Sequence, residues 1–241
     1  MGGWLTDVRS STIALARRIV GGPGIEWTLD RALARLAGRV RVETIVDVGA
    51  STGLWTLKAQ RHLKASRALL IEAQGEAHEA ALRTLSKQRP GVEYVIAAAG
   101  DHVGEIHFNA DDPFSGAASQ TSFGPKDRVV PMTTIDAEVA RFDLPSPYLV
   151  KLDTHGFEAE ILSGARETLR ETVALVVEAY NFELRPGVMR FPELCRYLEE
   201  SGFRCIDLID PMHRPKDDVL WQMDLVFVPA SRPELQDANY A

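Results

Sequence analysis

Two groups of residues in the sequence have types and spacing suited to chemistry. The first is VDVGASTG, residues 46–53, followed by Glu72, which lies 23 residues after Gly49 in the run RALLIEA. Gly49 and Gly53 carry no Cβ, so the backbone can turn tightly there and approach a ligand closely. An acid at this distance beyond a glycine loop commonly takes both hydroxyls of a ribose. Hydrogen bonds to a charged group contribute roughly 1.5–3 kcal/mol each. The dinucleotide fingerprint G-x-G-x-x-G is incomplete, because Asp47 stands where its first glycine would be. Packing against a pyrophosphate is therefore poorly provided for, which favours S-adenosylmethionine, a nucleoside cofactor without phosphate, over NAD. The candidate cofactor residues are Asp47, Gly49, Ala50, Ser51, Gly53, Leu54 and Trp55 in the loop, then Glu72, Ala73, Gln74, Ala98 and Asp153. Asp47 either orders the loop or meets the ligand's amino group.

The second group closes two later apolar runs: Asp153 and His155 follow PYLVKL, and Glu178 and Tyr180 end VALVVEAY. Methyl transfer requires an acceptor oxygen held about 3 Å from the methyl and a base for its proton. His155 is read as that base, oriented by Asp153 or Glu178, since an imidazole is a stronger base toward an alcohol than a carboxylate with a pKa of about 4. Asp153 also suits a helix cap, Glu158 a helix dipole, and Glu178 a pair with Lys151. Asp153, His155 and Glu178 have no diagnostic ligand spacing, so no metal site is assigned. Ser115, Ser119, Gln120 and Thr121 lie in a polar loop suited to a polyol, and with His155 and Tyr180 they are the candidate substrate contacts.

The surrounding pattern predicts the elements that must position these groups. Thr28 is a helix N-cap, with Leu29, Ala32, Leu33 and Leu36 at helical spacing before a stop at Gly38. TIVDVGA reads as a strand, followed by a helix from about Gly53 to Leu63. RALLIEA, EAHEAALRTLSKQ and VEYVIAA then read as strand, helix and strand. GEIHFNA and DRVVPM predict short strands around the polar loop, an inserted hairpin or lid over 101–130. After a short helix from Ile135 to Phe142 come the strand PYLVKLD, a helix from Gly156 to about Leu169 and the strand VALVVEAY. A helix from Phe191 to Glu200, the strand FRCIDL and a last strand WQMDLVFVP complete the chain, the closing pair antiparallel. Apolar runs of this kind suit strands buried on both faces of a mostly parallel sheet. In such sheets ligands bind outside the carboxyl ends of the strands where strand order reverses, so both groups converge on one pocket. The chain divides into an N-terminal helical extension (1–40), one α/β domain (41–230) and a C-terminal tail (231–241).

A composition of 45% hydrophobic and 25% charged residues fits a soluble globular protein. The formal charge of −7 argues against nucleic acid as a partner and for a small-molecule or glycan substrate. Cys195 and Cys205 match neither a zinc nor a CxxC pattern and read as reduced thiols. Near the N-terminus, Ile13 to Ala16 is too short an apolar run for a secretory or membrane-spanning segment, which predicts cytoplasmic residence. Residues 4–20 read as a packing or oligomerisation segment rather than a membrane-surface helix.

Three stretches together resemble the FkbM family of methyltransferases: VDVGASTGLWT, TTIDAEV at 133–139 and VKLDTHGFEAEILSGA at 150–165. VVEAY, residues 176–180, is similar to the family's closing strand. The resemblance implies a class I methyltransferase (Rossmann-like) three-layer sandwich with a seventh, antiparallel strand. It also implies O-methylation of a hydroxyl on a sugar, glycoconjugate or hydroxylated natural product. The sequence departs from many members at His155, where they have Glu, and at Ala73, where they have proline. Competing readings are a small NAD-dependent oxidoreductase and a non-catalytic scaffold of the same fold. Calorimetry separates them: S-adenosylmethionine and its demethylated product should bind in preference to NAD, and micromolar NAD binding without heat from S-adenosylmethionine would overturn the assignment.

Overall fold

The computed structural model describes residues 27–109, 116–124 and 127–239. The segment 4–20 therefore lies outside the described residues, as does Ser115. Helix α1 (Leu29–Ala37) starts at Thr28, whose hydroxyl accepts a hydrogen bond from the Arg31 N–H at 3.4 Å. Its buried stripe is Ala32, Leu33 and Leu36. Strand β1 (Thr44–Val48), helix α2 (Leu54–Leu63), strand β2 (Arg67–Glu72), helix α3 (Gly75–Gln88) and strand β3 (Val92–Ile96) form the first half of the sheet. The next segment holds β4 (Ala98–Ala99), β5 (Gly104–Asn109), β6 (Ala117–Ser119) and β7 (Asp127–Thr133). Then follow α4 (Ile135–Arg141), β8 (Tyr148–Leu152), α5 (Glu158–Ser163), α6 (Arg166–Arg170), β9 (Thr172–Tyr180), α7 (Phe191–Glu200), β10 (Phe203–His213) and β11 (Leu220–Pro229).

The main sheet has seven strands in the order β10-β11-β9-β8-β1-β2-β3. Strands β9, β8, β1, β2 and β3 run parallel, and β11 is antiparallel to both of its neighbours. Every residue of β1 and of β8 is buried, as expected for strands covered on both faces. Successive side chains alternate between faces. Val46, Leu69, Val150 and Leu175 enter one core with Ile161, Leu162, Leu194 and Leu198 of α5 and α7. Ile45, Leu70, Leu149 and Val176 enter the other with Leu33, Ala59 and Leu82 of α1, α2 and α3. Each fully buried Leu or Ile contributes about 1.5–3 kcal/mol, so the three layers of this Rossmann-like sandwich hold one another in place. Strand order reverses between β1 and β8, and the carboxyl ends of these two strands mark the switch point.

Residues 98–133 also build a second sheet, ordered β4-β7-β5-β6. Strands β5 and β7 pair antiparallel from Gly104↔Met132 to Asn109↔Asp127, and β6 adds to the free side of β5. Ile106, Phe108, Ala118 and Met132 join the α5 and α7 core.

Two elements differ from the expected pattern. VEYVIAA is not one strand: the Ala97 N–H donates to the Glu72 carbonyl at 3.0 Å, after which Ala98 and Ala99 leave β3 and pair with Met132 and Thr133 of β7. The helix expected from Gly156 to Leu169 is divided into α5 and α6 at Gly164 and Ala165. There the chain presses against the loop after β4, so closely that a Cβ on Gly164 would lie 2.0 Å from the Gly100 carbonyl oxygen. Gly164→Ala should therefore destabilise the fold by about 1–3 kcal/mol, the usual cost of overpacking. Urea denaturation reads this directly, and an unchanged midpoint would show that the contact yields without cost.

Candidate active site

The loop after β1 is shaped by contact with the end of β8. Gly49 has φ +76°, and a Cβ there would lie 2.1 Å from the Asp153 carbonyl oxygen. The Asp153 N–H donates to the Val48 carbonyl at 3.0 Å, joining the two strand ends. Gly53 also has positive φ, but its missing Cβ admits Leu85 and Leu70 of the core rather than a ligand. The Glu72 carboxylate is held between two loops, accepting from the Ser51 N–H and the Gln74 N–H at 2.7 Å each. Each of its oxygens keeps a further lone pair.

These residues open onto a cavity at the switch point. Of the sequence candidates, Gly49, Ser51, Glu72, Ala73, Gln74, Ala98, Asp153 and His155 line it. Phe108, Gly116, Ala118, Phe157 and Ile161, none of them a sequence candidate, line it as well. The apolar residues Ile106 and Phe108, two apart in GEIHFNA, are the kind of local signal that points to Phe108.

Several candidates lie off the cavity. Ala50 is part of the core, Leu54 is 71% exposed, and Trp55 faces Lys151, whose Nζ is 5.5 Å from its ring centroid. Ser119 and Thr121 bond to each other in a local turn, with Gln120 exposed between them. Tyr180 is buried, its hydroxyl donating to Glu178 Oε2 at 2.5 Å.

Asp47 is fully buried beneath the loop. Its Oδ2 accepts from the Thr56 hydroxyl at 2.6 Å, and its Oδ1 lies 3.3 Å from Lys151 Nζ, close enough to pair in charge but not aligned as a hydrogen bond. Of the two roles considered for Asp47, this position is that of a loop organiser. Lys151 Nζ also donates to Asp153 Oδ2 at 3.0 Å. Burial pushes the Lys151 ammonium pKa down, but the Asp153 and Asp47 carboxylates outweigh it and raise the pKa above the usual range. Burial likewise works against ionised Asp153, but Lys151, a hydrogen bond with Glu178 and the nearby His155 together outweigh it, so the Asp153 pKa is lowered.

Asp153, His155 and Glu178 converge beside the cavity, each offering one atom within 4.8 Å of the others, a set that could also ligate a divalent cation. The sequence spacing carries no trace of this grouping, because strand order alone creates it. His155 takes a left-handed conformation, φ +54°. Its Nδ1 lies 3.0 Å from the Gly116 carbonyl and its Nε2 3.4 Å from Glu178 Oε2. Burial, and then the neighbouring Asp153 and Asp224 carboxylates, raise the Glu178 pKa well above the ordinary range. Burial and Glu178 raise that of Tyr180.

The methyltransferase FkbM domain matches residues 47–205, more than half of the chain. No curated protein matches the sequence. Among solved structures, a SAM-dependent methyltransferase from Aquifex aeolicus is 14% identical, with 89% of this chain and 97% of that one covered and a TM-score of 0.45. M. capricolum TrmK, in complex with S-adenosyl-homocysteine, is 10% identical over 82% and 67%, with a TM-score of 0.46. The 1,6-didemethyltoxoflavin-N1-methyltransferase of Burkholderia thailandensis, bound to 1,6-didemethyltoxoflavin and S-adenosylhomocysteine, is 14% identical over 92% and 87%, also at 0.46.

Glu72→Ala should weaken binding of S-adenosylmethionine by roughly 10- to 100-fold, the equivalent of about 1.5–3 kcal/mol of charged hydrogen bonding. Titration and circular dichroism on one sample test this, and unchanged affinity in a folded variant would remove Glu72 from the site.

Proposed function

The chain belongs to the FkbM methyltransferase family, and we propose that it methylates a hydroxyl of a sugar, glycoconjugate or hydroxylated natural product, with His155 as general base. That it is an S-adenosylmethionine-dependent methyltransferase follows from the family itself. The cavity suits this cofactor: the Gly49 backbone lines it, Glu72 offers carboxylate oxygens, and Phe108 and Phe157 give apolar walls. When bound, S-adenosylmethionine supplies an electrophilic methyl group on a sulfonium sulfur.

The observation that carries the O-methylation reading is the position of His155, which lines the cavity with its Nε2 3.4 Å from the buried Glu178. As the acceptor oxygen gains its bond to carbon and the carbon–sulfur bond breaks, Nε2 of a neutral His155 takes the hydroxyl proton. Glu178, held by Tyr180, then stands beside the imidazolium that forms. The net charge of −7 supports a small-molecule or glycan acceptor over nucleic acid. Among the described residues no helix is long and apolar enough to cross a membrane. A cytoplasmic location belongs to this reading, which takes Cys195 and Cys205 as reduced thiols.

General-base assistance is worth about 10²–10⁴-fold in rate. His155→Ala should lower single-turnover methylation by that order while affinity for S-adenosylmethionine stays near wild type. His155→Gln, which keeps hydrogen bonding but is no effective base, should do the same. Rates within about threefold of wild type in both variants would leave positioning alone as the source of catalysis. The acceptor is sought by screening glycan and small-molecule libraries with methyl-labelled cofactor, and exclusive labelling of protein or nucleic acid would refute the acceptor class.

A further inference from the structure

We propose that Arg185 is a positioning residue that holds β6 in place, so that the Gly116 carbonyl keeps His155 in its Nδ1–H tautomer with Nε2 free to take a proton. The inference rests on His155 acting as the base, and it explains how that nitrogen is kept unprotonated.

Strand β6 is an edge strand of the second sheet. Gly116 directly precedes β6, two residues before Ala118. An edge of this kind leaves backbone groups without ladder partners. Here the two carbonyls accept from side chains instead. His155 Nδ1 is 3.0 Å from the Gly116 oxygen, and Arg185 Nη2 donates to the Ala118 oxygen at 2.8 Å. The same Nη2 donates to the Gly156 carbonyl at 3.1 Å. One guanidinium nitrogen thus ties β6 to the turn that carries His155.

A carbonyl oxygen can only accept, so the hydrogen of this contact belongs to Nδ1, and in a neutral ring Nε2 then carries a lone pair. In water a neutral imidazole favours the opposite tautomer, with the hydrogen on Nε2, which could not serve as a base at that atom. The Gly116 carbonyl, at 3.0 Å, competes with Glu178 Oε2, which lies 3.4 Å from Nε2 and already accepts from Tyr180, and it reverses the preference only while β6 stays where it is. Packing limits its freedom, since a Cβ on Gly116 would lie 2.5 Å from Phe108 Cζ. On the other side of the bridge, a Cβ on Gly156 would lie 2.6 Å from Val188. Among the described residues no carboxylate pairs with Arg185 at salt-bridge distance, so these two carbonyls are its hydrogen-bonding partners.

The test needs no acceptor. Long-range ¹H–¹⁵N spectra of the uniformly labelled full chain, recorded at a pH where imidazoles are neutral, report the tautomer of each of the six histidines. His155 is assigned by the signal missing in His155→Gln. Wild type should show His155 as Nδ1–H. In Arg185→Met the Nδ1–H form should fall from dominant to minor, and Arg185→Lys, which keeps a charged donor, should restore most of it. Affinity for S-adenosylmethionine, measured alongside, verifies that the cavity is intact. A wild-type spectrum of the Nε2–H form overturns the proposal, as does an unchanged His155 signal in folded Arg185→Met. If Arg185→Met does not fold, Arg185→Gln decides in its place, because it keeps a neutral donor too short to span both carbonyls and should lose the Nδ1–H form. An Nδ1–H tautomer in wild type together with unimpaired methylation by His155→Ala would refute the base role and leave the Arg185 bridge standing.

Discussion

The switch point of the sheet brings two carboxylates, Asp47 and Asp153, to the ends of neighbouring strands, and the arrangement depends on the ammonium of Lys151 between them. Lys151 is itself part of β8, with 6% of its side chain exposed. Removing one partner from such a buried set leaves an uncompensated charge, which costs far more than the pair contributes. Two further contacts of the site extend from this triad. Asp47 bonds to Thr56 and so orients the start of α2. Asp153 contacts Gly49 through its carbonyl and Val48 through its N–H, which sets the distance between the glycine loop and the turn carrying His155.

Much of this was legible in the sequence because it follows from local rules. Buried parallel strands read as continuous apolar runs, and TIVDV, RALLIE and YLVKL are nearly pure examples. Glycines 49 and 53 announced a turn, and Glu72 announced a carboxylate at the neighbouring strand end. The spacing could not tell which glycine lines the cavity and which faces core. Gly49 abuts Asp153 and lines the cavity, whereas Gly53 is needed for Leu70 and Leu85.

What was not legible depends on long-range contacts. The break between β3 and β4 arises because Ala98 and Ala99 find partners some 34 residues away, at Met132 and Thr133. Phe108, Gly116 and Phe157 come to the cavity from separate segments, and nothing in their immediate neighbours distinguishes them from core residues. The Asp153, His155 and Glu178 cluster is of the same kind. Its members were selected for their chemistry, but their mutual distances follow from the pairing of β8 with β9.

The second sheet supplies one wall of the cavity and one partner of His155. At its base, Ala98 and Ala99 of β4 line the cavity and pair with β7. At its outer edge, β6 meets the turn bearing His155. Strands β5 and β6 thus take part in both, since Phe108 and Ala118 line the cavity while the Gly116 carbonyl beside β6 meets His155. A change of side chain at Phe108 or Ala118 would therefore reshape the cavity without altering the parallel sheet, to which neither residue belongs.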